Sequence, residues 1–74
     1  LRELVRTNDL VLISFIESLL GGAGFDYFVA DRHMSAMEGS LGFLPRRIMV
    51  LEEDRDAARR LLREAGLAAE LRDA

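Results

Sequence analysis

The stretch Arg46-Arg47-Ile48-Met49-Val50-Leu51 sets four apolar side chains in a row immediately before the acidic run Glu52-Glu53-Asp54. A short apolar run with β-branched members reads as a strand. Alternation places Ile48 and Val50 on one face and Arg47, Met49 and Leu51 on the other. A strand with water on one side should carry polar residues there, so apolar residues on both sides imply that both faces are covered. The next residues read as a helix. Glu52, Glu53, Asp54 and Asp56 gather at its start and Arg59, Arg60 and Arg63 toward its end, the charge order a helix dipole favours. Ala57, Ala58, Leu61, Leu62 and Ala65 supply its apolar stripe, and Gly66 ends it.

The same strand-then-helix unit occurs earlier in the chain. Residues 1 to 6, Leu-Arg-Glu-Leu-Val-Arg, are short and partly alternating, and they lead into Thr7-Asn8-Asp9, three residues that favour helix caps. From Asp9 to Leu20 the apolar residues Val11, Leu12, Phe15, Ile16, Leu19 and Leu20 recur at helical spacing, with Ser14, Glu17 and Ser18 on the other side. Gly21-Gly22 offers a left-handed C-cap and Gly24 loosens the turn that follows. Phe25 to Ala30 is aromatic and β-branched, a strand with Phe25, Tyr27 and Val29 on one face and Phe28 on the other. At the far end, Leu67, Ala69 and Leu71 alternate as an edge strand would, although Ala and Glu are poor strand formers and the tail can equally fray.

Strand, helix, strand, strand, helix and a possible last strand make an α+β fold, a ferredoxin-like split βαβ sandwich occupying residues 1–74 as one domain. Right-handed crossovers put both helices on one face of an antiparallel sheet, with the first and third strands as central neighbours. The opposite face is open, and it carries Phe28, Met49 and Leu51. These three are the expected oligomer interface.

A chain of 74 residues has room for one modest core. Domains of that size bury only about 60% of the surface their unfolded chains expose. With no cysteine, disulfides are excluded and a structural zinc site is disfavoured, which leaves self-association as the usual remedy. A homodimer or small homo-oligomer is expected. The net charge of −3 argues against nucleic acid or an anionic membrane as the main partner. All ten basic residues are arginine, a choice that suits phosphate or carboxylate recognition and that GC-rich coding also produces. No apolar run reaches the roughly 18 residues of a membrane span and no signal peptide is evident, so a cytoplasmic location is expected.

Between the second and third strands, Asp31 to Pro45 has no sustained period and holds the only His and the only Pro. Loops of this length usually bind something or build an interface. Asp31, His33 and Glu38 are possible metal ligands, but three mixed ligands without a Cys or a second His match no strong metal spacing. The simpler reading has Asp31 ending a strand, His33 bonding backbone and Glu38 as a solvated or capping acid. Glu38-Gly39-Ser40-x-Gly42 followed by Arg46-Arg47 could cradle an anion between backbone amides and two guanidinium groups. Ordinary turn geometry with an Arg–carboxylate pair explains the same residues. Met34, Met37, Phe43 and Leu44 add an apolar component suited to a partner or to the protein's own core. The lone His has no nucleophile and orienting partner, so no enzyme and no cofactor are expected.

Arg6-Thr7-Asn8-Asp9, Asp31-x-His33, Glu38-Gly39-Ser40-x-Gly42 and Pro45-Arg46-Arg47-x-x-Val50 together resemble a small prokaryotic family of unknown function labelled putative prokaryotic signal transducing protein. The resemblance spans nearly the whole chain. It implies a ferredoxin-like fold related in architecture to the PII regulators and, by analogy, a regulatory role without nucleotide binding. The combined expectation is a noncatalytic regulatory or protein-interaction module. Its ligand or partner residues are Asp31, His33, Glu38, Gly39, Ser40, Gly42, Arg46 and Arg47. A sensor of small anionic ligands and a purely structural oligomer subunit are the two alternatives.

Overall fold

The computed structural model describes residues 1–30 and 45–71. Within them the order is β1 (Arg2–Thr7), α1 (Leu10–Gly22), β2 (Tyr27–Ala30), β3 (Arg46–Val50), a 3-10 turn (Glu52–Asp54), α2 (Arg55–Glu64) and a second 3-10 turn (Ala68–Glu70). β3 lies between β1 and β2 and runs antiparallel to both. β1 and β2 are therefore parallel to each other with β3 inserted between them, which is the split βαβ arrangement. The fold is α+β, with two helices and a three-stranded antiparallel sheet.

One core cluster holds the layers together. Leu4 and Val5 of β1, Ile48 and Val50 of β3, Ile13, Ile16 and Leu20 of α1, and Ala58 and Leu62 of α2 are all buried. Both helices thus pack on the side of the sheet that bears Ile48 and Val50, as alternation requires. A bulge in β1 explains why its pattern is only partly alternating. Glu3 pairs with Met49 and Val5 with Ile48, so Leu4 is an extra residue opposite one partner. Both Leu4 and Val5 then reach the core.

Local chemistry starts and stops the helices. Asp9 is the N-cap of α1, its Oδ1 accepting the amide protons of Val11 at 3.0 Å and Leu12 at 3.1 Å. The Thr7 hydroxyl oxygen accepts from the Asp9 amide at 3.1 Å and fixes the turn out of β1. Both helices end in the same way. The Phe25 amide bonds Leu20 O and the Gly24 amide bonds Gly21 O; the two equivalents after α2 are the Leu67 amide on Leu62 O and the Gly66 amide on Arg63 O. Each is a Schellman motif with its glycine at positive φ, 84° for Gly24 and 86° for Gly66. Phe25 and Leu67 then pack, partly buried, against the core.

Several expectations are corrected here. The left-handed residue after α1 is Gly24, while Gly21 and Gly22 belong to the last turn of the helix. Val11 and Phe15, expected in the buried stripe, are 79% and 46% exposed, and Ile13 is buried instead. An almost wholly apolar helix offers several stripes of similar quality, so period alone cannot select the inner one. In α2, Ala57 and Ala65 are exposed while Ala58 and Leu62 are buried. The acidic run Glu52–Asp54 forms a 3-10 turn ahead of α2. β2 starts at Tyr27, two residues later than expected.

The last strand is reduced to one position. Leu71 makes an isolated antiparallel bridge to Val5, on the edge of β1 away from β3. That is where the fourth strand of a ferredoxin-like sandwich would lie, and the arrangement is compatible with that fold.

Candidate functional site

The side of the sheet facing away from the helices is built by register. One row across the sheet is Glu3, Met49 and Phe28; the next is Arg6, Arg47 and Ala30. Leu51 follows β3 on the same side by alternation. Phe28 is 49% exposed, while Met49, Leu51 and Arg47 are partly buried. Cross-strand neighbours lie about 5 Å apart and successive residues on one face about 7 Å apart along a strand. The face therefore divides into an apolar half around Phe28, Met49 and Leu51 and a basic half around Arg6 and Arg47.

The bulge in β1 sets the chemistry of this face. By drawing Leu4 inward it turns Glu3 outward, next to Met49. From there Glu3 Oε1 accepts a hydrogen bond from Arg6 Nη2 at 3.0 Å, and the Glu3 side chain is only 12% exposed. Arg46 and Arg47, expected to act together on an anion, are separated by the strand's alternation. Arg47 shares the open face with Arg6, whereas Arg46 pairs with Thr7 on the helix side. The two guanidinium-bearing residues that the sheet sets side by side are Arg6 and Arg47. Counting back from Thr7 and Arg46 as antiparallel partners gives this pairing, but the bulge misaligns any count made from the N-terminal end of β1.

Of the expected interface residues, Phe28 and Met49 are paired across β2 and β3 on the open face, and Leu51 lies just past the end of β3, at the start of the 3-10 turn. Asp31, His33, Glu38, Gly39, Ser40 and Gly42 lie outside the described residues, as do Met34, Met37, Phe43 and Leu44. Ala30, which precedes that segment, belongs to the basic row, and Arg46, shortly after it, is at the same end of the sheet. Among the described residues there is no group of three acidic, His or Cys side chains placed to hold a metal ion. No helix among them is long and apolar enough to cross a membrane.

A family model described as putative prokaryotic signal transducing protein matches residues 1–66. The chain belongs to this family. The match takes in all three strands, both helices and the Gly66 that ends α2, so every residue of the open face falls within it. It stops before the turn at Ala68–Glu70 and the Leu71 bridge. The family name suggests a role in signal transduction without stating a molecular activity. No curated protein matches the chain.

Proposed function

We propose that this member of the signal-transducing family is a noncatalytic regulatory module that self-associates as a homodimer through the apolar half of its open sheet face. The observation that carries this reading is the row of Met49 and Phe28, continued by Leu51, on the side of the sheet opposite both helices. A half-exposed Phe beside Met on an antiparallel sheet face favours docking on a similar surface. The size of the chain supports it too, because a small core gains stability when an oligomer adds to the buried apolar area. The architectural resemblance to PII regulators supports the regulatory part by analogy alone. A cytoplasmic location suits such a module.

Sedimentation equilibrium tests the assembly. A dimer is expected at tens of micromolar, on the order of ordinary dimer affinities, and Phe28→Thr with Met49→Thr is expected to give a folded monomer. A wild-type chain that remains monomeric in that range overturns the proposal. Affinity capture on the wild-type and double-variant chains separates a regulatory module from a purely structural subunit. The regulatory reading expects a second protein whose recovery depends on the open face. Recovery of the chain alone speaks for the structural one.

A further inference from the structure

Arg6 and Arg47 stand directly opposite each other on neighbouring strands, a placement in which like charges repel. Glu3 offsets part of that cost by accepting from Arg6 Nη2, yet among the described residues of the row two guanidinium groups stand against one carboxylate. Arg47 forms no ion pair among the described residues. Beside Arg47 on β2 stands Ala30, partly buried, whose methyl group adds neither charge nor a competing hydrogen-bonding group to the row. The row thus reads guanidinium, guanidinium, methyl, with a carboxylate already bound to Arg6. A guanidinium has five N–H donors, so the contact with Glu3 leaves Arg6 with donors to spare.

We propose that this row is a binding site for an oxyanion, a phosphate or carboxylate group on a small molecule. Arg47 and the remaining N–H groups of Arg6 grip it, and the body of the ligand lies over Ala30. Planar guanidinium forks suit the oxygens of such groups and bond them more strongly than neutral donors do. The charge of the ligand relieves the repulsion between the two arginines, so the site is more stable filled than empty. Glu3 fixes Arg6 in place and also limits the total positive charge, which favours a compact anion over a long polyanion. The site is distinct from the apolar half of the face and does not depend on self-association. Either can fail while the other stands.

The test is an NMR titration of the ¹⁵N-labelled chain with sodium phosphate and, separately, with sodium acetate. Sodium chloride at matched ionic strength is the reference, because simple screening acts on all three. The site predicts saturable shifts at the Arg6 and Arg47 side-chain Nε–H groups and at the Ala30 amide in at least one of the two oxyanions. Saturation by phosphate alone assigns a phosphate group, and saturation by acetate alone assigns a carboxylate. Arg47→Gln removes the charge while keeping the Cβ–Cδ stem and a polar end, and should weaken binding by about tenfold or more, the scale of a lost charge-assisted bond. Arg60→Gln, on the exposed side of α2, should leave it unchanged. Shifts that match chloride in both titrations, or an affinity unchanged in Arg47→Gln, overturn the proposal.

Discussion

Ile48 and Met49 are adjacent in β3 and point to opposite faces of the sheet, so truncating each in turn measures the two faces separately. Ile48 is fully buried and pairs with Val5 on one side and Val29 on the other. Ile48→Ala removes three carbon atoms from that position. At about 0.8 kcal/mol per buried methylene, plus a term for the cavity, the expected cost is about 3 kcal/mol. Stability of about 0.05–0.15 kcal/mol per residue gives a chain of this length only about 4–11 kcal/mol in total. The substitution therefore removes a quarter or more of it. Met49 is partly buried on the open face, and Met49→Ala should cost the isolated subunit about 1 kcal/mol. Urea unfolding followed by circular dichroism reads both. With a slope of about 1 kcal/mol per molar for so small a chain, the midpoint should fall by about 3 M for Ile48→Ala and about 1 M for Met49→Ala. Measured at low micromolar and at higher concentration, the wild-type midpoint should rise with concentration and that of Met49→Ala should not. Equal losses at the lowest concentration would refute the assignment of faces, and a concentration-independent wild type would refute the dimer.

Asp9→Ala removes the acceptor for the Val11 and Leu12 amides and should cost about 1 kcal/mol, while Asp9→Asn keeps most of the cap; thermal melts of the two variants give the comparison. Gly66→Ala should destabilise by about 1 kcal/mol even though an added Cβ meets nothing within 4 Å, because φ is +86°. Gly21→Ala, with equally open space but a helical backbone, should raise the melting temperature by a gain of about 0.5–1 kcal/mol. Val11→Gln should change stability by less than about 0.5 kcal/mol, whereas Ile13→Gln, two positions along the same helix, should prevent folding or come close to it; expression and melting curves decide.

The parts of the fold that were legible in the sequence are those where residue chemistry alone decides the outcome. Asp9 caps because its carboxylate reaches free amides, Gly66 ends α2 because only glycine takes a left-handed backbone cheaply, and Ile48 and Val50 share a face by simple alternation. Where the outcome depends on neighbours brought from elsewhere, the sequence is silent. α1 carries a single charged residue, Glu17, so nothing local distinguishes the buried Ile13, Ile16 and Leu20 from the exposed Val11 and Phe15. That choice is made by the sheet and α2, against which the helix packs. The adjacency of Arg46 and Arg47 suggested a shared site for the same reason, since sequence shows proximity along the chain while a strand sends neighbours to opposite faces. The arginine that the sheet does set beside Arg47 is 41 positions away, Arg6, by their numbering.

The bulge at Leu4 joins the core to the open face. If β1 alternated without interruption from Val5, Leu4 would point outward and Glu3 inward, leaving a carboxylate beneath Val50 in an apolar layer. The extra residue sends Leu4 to the core with Val5 and returns Glu3 to the outer face, where it meets Arg6. One irregularity thus keeps a buried charge out of the core and supplies the carboxylate that anchors the guanidinium row. Because bulges bend a strand and increase its twist, it also shapes the edge of the sheet where Leu71 bridges to Val5. A regular β1 would separate these effects. It would expose Leu4 on a face already rich in apolar residues and leave Arg6 and Arg47 opposed without the carboxylate that now holds Arg6, so the basic row as it stands depends on this bulge.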